Sequence, residues 1–327
     1  MPIISVTNLT KTFRFKVKKE GFKNSLKSMF KAKFKTIKAV DAISFSIEKG
    51  ETIGFIGPNG AGKSTTIKML TGILFPTAGR AKVCDLTPWE KRQKLAFKIG
   101  TVFGQKPQLW YHLPAIDTFN LFAKIYELDM TTFKKRLNWL IKQFETKDLI
   151  HTPVRKLSLG QRMRCEIVVS LIHSPEVIFL DEPTIGLDVI AKQQIRDTIK
   201  HINKTEGTTI FLTSHDVGDI EKLTKRTIII NKGKIIFDGK TRSLRWDYIH
   251  SKIISIRFKD PSFKIPPING VKIIKRSEYG LKIQVDTSKA DVENVLKRIM
   301  NKNKIADITI LDPPLEEIIA KIYKNKK

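Results

Sequence analysis

Residues 57–65 read Gly57-Pro58-Asn59-Gly60-Ala61-Gly62-Lys63-Ser64-Thr65, the G-x-x-x-x-G-K-S/T spacing of a phosphate-binding loop. Such a loop holds anions because free backbone N–H groups and a helix dipole converge on one point. Gly57, Gly60 and Gly62 permit backbone shapes and close approaches that a side chain blocks. Lys63 is placed to reach the β- and γ-phosphates of a nucleotide, and the Ser64 hydroxyl to sit on Mg²⁺. A second pair, Asp181-Glu182, ends the apolar run 177–180. After such a loop, Asp181 is positioned to hold Mg²⁺ through water and Glu182 to orient or activate the attacking water. Ser214-His215 ends another apolar run, at the strand edge where ligands usually bind.

These side chains need a scaffold, and the flanking patterns predict one. Residues 51–56 read as a short buried strand and 64–70 as the start of a helix. Strands are expected at 3–9, 41–47, 99–103, 177–180 and 208–213, with a hairpin over 227–237. Residues 72–79 read as a turn-rich connection. The stretch 118–150 is helical in pattern: Phe119, Phe122, Ala123 and Tyr126 make one apolar face, and Leu137, Leu140, Ile141 and Phe144 another. Leu157-Ser158-Leu159-Gly160-Gln161 opens a further helix; Ser158 can cap it, and Gly160 lets the backbone approach a ligand. By itself the pentapeptide fits an ordinary N-cap as well as a second phosphate site. Phe13 and Phe15 fit either a ring stacked on a purine or ordinary half-buried strand aromatics.

A chain of 327 residues with 41% hydrophobic residues accommodates about two domains with proper cores. No run of eighteen apolar residues occurs, the N-terminus lacks a signal-peptide layout, and Cys84 and Cys165 alone make no disulfide framework. Composition shifts near Thr241. Beyond it, strands are expected at 253–258, 271–275 and 281–285 and helices at 291–300 and 314–323, a small α+β accessory domain without a catalytic constellation.

The formal charge is +28. It fits a nucleic-acid partner, an acidic membrane surface, or lysines solvated all over the surface. Basic residues concentrate over 14–38, where Arg14, Lys16, Lys18, Lys19, Lys23, Lys27, Lys31, Lys33, Lys35 and Lys38 face only Glu20. Phe22, Leu26, Met29, Phe30 and Phe34 recur there at helical spacing, which predicts a basic amphipathic helix suited to anionic lipid or to a partner's groove; the alternative is a mobile, solvated insertion.

The order of elements 57–65, Gln105, 157–161, 180–182, Gly186-Leu187-Asp188 and His215 resembles an ATP-binding cassette, the nucleotide-binding subunit of an ABC transporter, most like the ABC-2 exporter type. The resemblance covers about residues 3–240 and implies an α/β fold: a RecA-like sheet core, an antiparallel β part and a helical subdomain at about 105–175. It places the ATP-binding domain at 1–240, with the basic insertion at 16–38, and the accessory domain at 241–327. It implies ATP and Mg²⁺ as ligands, with Ser64, Gln105 and Asp181 near the metal. Phe13, with Phe15 as fallback, would stack on adenine. Gln105 would sense Mg²⁺ and face the membrane partner. Ser158 and Gly160, with Gln161, would close on the γ-phosphate of an opposite subunit. Asp188 would cross the dimer interface, and His215 would touch the γ-phosphate. The chain departs from the family in three places: Leu159 stands where Gly is usual, Gly104 adds a residue before Gln105, and the 16–38 insertion is long.

The resemblance thus implies an ATPase subunit at the cytoplasmic face of the membrane, pairing with a second cassette (a homodimer) and driving a separate integral-membrane permease. The competing expectation is a nucleic-acid-associated cassette of the repair or translation type. The repair type needs a long coiled-coil insertion and the translation type a second cassette, and neither is present in the sequence.

Overall fold

Alternating and β-branched residues start the chain as strands, and each later buried run adds a strand or a helix to one of three sheets. The computed structural model describes residues 1–16, 34–104, 106–214, 216–244, 251–314, 317–319 and 322. They divide into two compact units, Met1–Gly239 and Lys240–Lys327.

The first unit runs β1 (Ile4–Lys16), β2 (Phe34–Ile47), β3 (Thr52–Ile56), α1 (Lys63–Leu70), β4 (Ala78–Val83), α2 (Arg92–Ala96) and β5 (Ile99–Phe103). It continues with α3 (Ala115–Ile125), α4 (Met130–Gln143), a single 3₁₀ turn (Val154–Lys156), α5 (Leu159–Leu171), β6 (Val177–Asp181) and α6 (Val189–Glu206). It closes with β7 (Thr209–Ser214), α7 (Val217–Leu223), β8 (Arg226–Asn231) and β9 (Lys234–Lys240).

A six-stranded sheet has the order β5-β6-β7-β3-β8-β9. Its pairs β5–β6, β6–β7, β7–β3 and β3–β8 are parallel. Every residue of β7 is buried, as expected of a parallel strand covered on both faces. The register sets Phe103 beside Asp181, Asp181 beside Thr213, and Ile56 beside Ser214. The carboxyl ends of β5, β6, β7 and β3 therefore meet at one edge, where ligands of open α/β sheets bind.

An antiparallel sheet, β2-β1-β4, packs over this core. Phe45 of β2 lies 5.9 Å from Phe55 of β3, Phe55 5.2 Å from Phe211 of β7, and Phe211 5.5 Å from Phe179 of β6. Burying each ring contributes on the order of 2–3 kcal/mol, so this aromatic row is a main tie between the layers.

The amphipathic-helix expectation for 14–38 is corrected at both ends. Arg14 and Lys16 lie on β1, and Phe34, Lys35 and Lys38 lie on β2, with Lys16 opposite Phe34 and Phe13 opposite Ile37. Alternation around Phe13, Phe15, Thr36 and Ile37 suits a two-stranded ribbon, so the ladder continues past the point where β4 stops pairing with β1, at Thr10. Residues 17–33, which carry the rest of that expectation, lie outside the described residues. The turn-rich reading of 72–79 also yields at its end: Ala78 and Gly79 begin β4, drawn into the ladder by Thr10 opposite Ala78.

The second unit is a four-stranded antiparallel sheet in the order β11-β12-β10-β13, from β10 (Ser251–Phe258), β11 (Val271–Arg276), β12 (Gly280–Asp286) and β13 (Ile305–Leu311). Helix α8 (Val292–Met300), capped by Asp291, covers one face. Its Val295 and Ile299 close a core with Ile254, Ile256, Leu281 and Ile283.

Candidate functional site

The turn from β3 into α1 creates the centre of the site. Gly62 is the N-cap of α1 at φ 114°, a left-handed value that a Cβ would strain, and that Cβ would lie 2.5 Å from the Ala39 carbonyl. No side chain caps α1 and no acid occupies its first turn, so its first N–H groups are left for an external anion. They face a cavity of about 720 Å³ lined by residues 58–65, Lys68, Phe103, Gly104, Lys106, Asp181, Glu182 and Ile185.

Lys63 is 6% exposed; its Nζ donates to the Gly57 carbonyl at 2.7 Å and lies 3.6 Å from Glu182 Oε1. Asp181 ends β6, and its Oδ1 accepts the Thr213 hydroxyl, which fixes the carboxylate's orientation. Glu182 follows at φ 56°, a left-handed value that costs a non-glycine residue about 1–3 kcal/mol and that clusters at functional positions. Its N–H is tied to the Thr213 carbonyl at 3.0 Å. Gly104 closes the far wall: its N–H donates to the Asp181 carbonyl at 3.0 Å, and a Cβ there would come within 2.7 Å of the Glu182 carbonyl. The extra residue before Gln105 is thus one that only a glycine can supply.

The donors suit Mg²⁺. Ser64 and Asp181 offer hard oxygen ligands in one cavity, and among the described residues no group of three or more His, Cys, Asp or Glu forms a metal cage. Mg²⁺ is ordinarily held by one or two protein oxygens together with substrate phosphates and water.

Behind this edge lies a buried polar knot. Asp219 of α7 is fully buried and accepts from the Thr184 hydroxyl, from Ser214 Oγ at 2.9 Å and from Arg196 Nε at 2.7 Å. Asp216 caps α7 through the Gly218 N–H at 2.9 Å and takes Lys192 Nζ at 2.6 Å. Burial pushes the Asp216 carboxyl up, but the bond and charge of Lys192, the Gly218 amide and the Arg196 charge outweigh it and leave it below the ordinary range. These groups hold Ser214 and Asp216, the neighbours of His215. His215 and Gln105 themselves lie outside the described residues.

The remaining predicted site residues do not line the cavity. Phe13 and Phe15 stand on the β1 ribbon with ring centres 6.1 Å apart, and Lys11 Nζ lies 5.3 Å from the Phe13 ring centre. Ser158 and Gln161 cap α5 reciprocally: Gln161 N–H donates to Ser158 Oγ at 3.2 Å, and Ser158 N–H to Gln161 Oε1 at 2.9 Å. Gly160 packs on the start of α6, where a Cβ would lie 3.0 Å from Ala191 Cβ. Asp188 caps α6 through the Ala191 N–H at 2.8 Å. Beside these caps Leu159 is 37% exposed, Val189 82% and Ile190 74%.

Sequence reasoning missed Lys68 and Lys106 at the cavity, and Thr213, Arg196 and Asp219 behind it. An acid on the inner face of a helix just after Ser214-His215 was the available signal for Asp219. Its partner Arg196 lies 23 residues earlier and gave none.

Three comparisons bear on the chain. The family description "ABC transporter" matches residues 40–185. The ABC transporter ATP-binding protein NatA of Bacillus subtilis is 34% identical over 215 residues, 66% of this chain and 87% of that protein. The linearmycin resistance ATP-binding protein LnrL of the same organism is 30% identical over 280 residues, 85% of this chain and 89% of that protein. Among solved structures, the cassette MJ0796, a dimer in a post-hydrolysis state bound to ADP and Pi, superposes with a TM-score of 0.60 at 27% identity, covering 73% of this chain and 99% of that one.

Proposed function

This chain belongs to the ABC transporter family as one of its ATP-binding, ATP-hydrolysing proteins, and we propose that it is the peripheral, cytoplasmic motor of an export system whose membrane permease is a separate polypeptide. The relatives named above are transporter ATP-binding proteins, and the nucleic-acid reading finds no support among them. The observation that carries the mechanism is the convergence of Lys63, Ser64, Asp181 and Glu182 on the uncapped N-terminus of α1.

In this reading the N–H groups of residues 60–65 cradle the phosphates of ATP, and Lys63 leaves Glu182 to neutralise the β- and γ-oxygens. Ser64 and Asp181 would hold Mg²⁺, which would supply charge neutralisation of the triphosphate when bound. Glu182, freed from Lys63, orients the attacking water and accepts its proton. His215 and Gln105 complete the γ-phosphate end, and Phe13 stacks on adenine. Ser158, Gly160 and Asp188 act on a second copy of the chain. The exposed apolar residues Leu159, Val189 and Ile190 beside them favour that arrangement, since such a cluster gains by being covered. The MJ0796 cassette, which forms a dimer with bound ADP and Pi, supports the same reading.

Trp110, Tyr111 and Leu113, which are 49%, 53% and 40% exposed shortly after Gln105, form the surface offered to the permease. Among the described residues no helix is long and apolar enough to cross a membrane. The β1–β2 ribbon, with exposed Phe15, Phe34 and Ile37 among Arg14, Lys35 and Lys38, fits an anionic lipid surface.

The test uses the purified chain with Mg²⁺ and ATP. Wild type is expected to hydrolyse ATP, and Glu182→Gln to accumulate as an ATP-bound dimer by light scattering, because the water-handling carboxylate is lost while Asp181 stays. Normal turnover by the variant removes Glu182 from the mechanism. A monomer at saturating ATP removes the two-chain site.

A further inference from the structure

Helix α5 is apolar and buried along its inner face, through Cys165, Ile167, Val168, Val169 and Leu171, yet Glu166 stands in the middle of that run at 4% exposure. A carboxylate in such a place is costly unless it is bonded. Its partners are main-chain groups of one distant segment: Gln108 N–H donates to Oε2 at 3.0 Å and to Oε1 at 3.1 Å, and Leu109 N–H to Oε1 at 3.3 Å. Burial pushes the Glu166 carboxyl up, and the two amides and the Arg162 charge offset this only in part.

The segment so held connects three places. At its start Gly104 rests on the Asp181–Glu182 backbone, and Lys106 lines the cavity. In its middle Gln108 Nε2 donates to the Thr101 carbonyl of β5, and Trp110 N–H to Thr118 of α3. At its end lie exposed Trp110, Tyr111 and Leu113, and the carbonyls of Tyr111 and Leu113 accept from Arg155 N–H at 2.9 Å and Val154 N–H at 3.0 Å. Residues 154–155 lead directly to Ser158. The segment is therefore fastened to the start of α5 through 154–155 and to its middle through Glu166, about 12 Å along the helix from Ser158.

We propose that Glu166 is a positioning residue: it clamps the segment after Gln105 onto α5, so that a displacement of Trp110–Leu113 moves Ser158 as part of the same rigid piece. This rests on the two-chain reading above, in which Ser158 closes on the partner's nucleotide. Glu166 touches neither the cavity nor substrate, so its loss acts on closure and spares nucleotide binding.

Glu166→Gln is nearly isosteric but turns an NH₂ toward amide donors. The full-length variant is expected to bind ATP within about twofold of wild type while its kcat falls about tenfold, a loss equivalent to one charge-assisted hydrogen bond. In a Glu182→Gln background it is expected to weaken ATP-dependent dimerisation by a similar factor, and Glu166→Asp, too short to reach both amides, to rescue neither. Unchanged kcat and dimerisation, or an ATP affinity that falls in step with kcat, overturns the proposal. A second measurement needs no variant. By NMR, the wild-type amides of Gln108 and Leu109 are expected to exchange with deuterium about tenfold or more slowly than that of Tyr111; equal rates overturn the clamp even if Glu166→Gln fails to fold. If Glu182→Gln alone stays monomeric with ATP, the two-chain reading fails, and the exchange rates still judge the clamp.

Discussion

Two edges of the cassette present their chemistry in opposite ways. At the carboxyl ends of β3, β5 and β6, Lys63, Ser64, Asp181 and Glu182 already share one cavity within a single chain. At the starts of α5 and α6, Ser158, Gln161 and Asp188 cap their own helices, beside exposed Leu159, Val189 and Ile190. The first edge is preorganised: its strained Glu182, uncapped helix and buried Lys63 are held by the sheet before any ligand arrives. The second is a set of satisfied helix caps that gains a catalytic meaning only against another surface. In the proposed reading, cradling a triphosphate is thus a property of one chain, and burning it is a property of two.

The largest effect expected from breaking this contrast is at the first edge. Lys63→Ala removes the lysine side chain buried under the loop, and ATP affinity and hydrolysis are expected to fall by roughly 10²-fold or more, read by nucleotide titration and phosphate release. Unaltered affinity contradicts the loop assignment. Ser158→Arg is expected to leave ATP binding by the single chain intact and to abolish turnover. Mixing Ser158→Arg with Lys63→Ala chains then restores up to one composite site, with a fraction of wild-type activity; no recovery in the mixture argues against action across two chains.

Between the edges lies the Asp219 knot, which joins Thr184, Ser214 and Arg196. Asp219→Asn replaces the nearer carboxylate on buried Arg196 by a neutral group, leaving Asp216 at 3.6 Å, and is expected to lower stability by about 2 kcal/mol in denaturant titrations. It is also expected to lower kcat through Ser214 and Asp216, the neighbours of His215. A variant as stable and active as wild type would reduce the knot to filler.

The smallest effect sharpens the contrast by leaving both edges alone. His173 stacks on Tyr126 at 3.9 Å, and its Nε2 bonds the Ile99 carbonyl at 3.0 Å. Burial pushes its pKa down to about 4, so the folded state holds the ring neutral while the unfolded chain, near 6.5, takes up a proton. Stability from this group is complete above pH 6.5 and is lost as pH falls toward 4, by about 3 kcal/mol in all. Thermal unfolding in that window is expected to flatten in His173→Gln, with ATP affinity at pH 7.5 unchanged. An identical pH slope in the variant assigns the acid lability elsewhere.

How much of this was readable beforehand depended on the range of the interaction involved. The α/β cassette was legible because each motif is a local event: a strand, a turn and a helix start need only neighbouring residues. Phe34 misled because it also falls at helical spacing from Phe30, and the partner strand, with Lys16 opposite Phe34, decided for a ribbon at that end. Glu166 carries no local signal in the sequence, since its amide partners lie 58 and 57 residues away.

The amino-acid order by itself pointed to phosphate chemistry, because residues 57–65 and the Asp181-Glu182 pair are each a local pattern of residue type and spacing. Tertiary structure alone decided which groups share a cavity and which face away from it, which carboxylates are buried, and which segment Glu166 grips. Those facts depend on chain closure over tens of residues, where packing and burial, rather than local propensity, set the free energy.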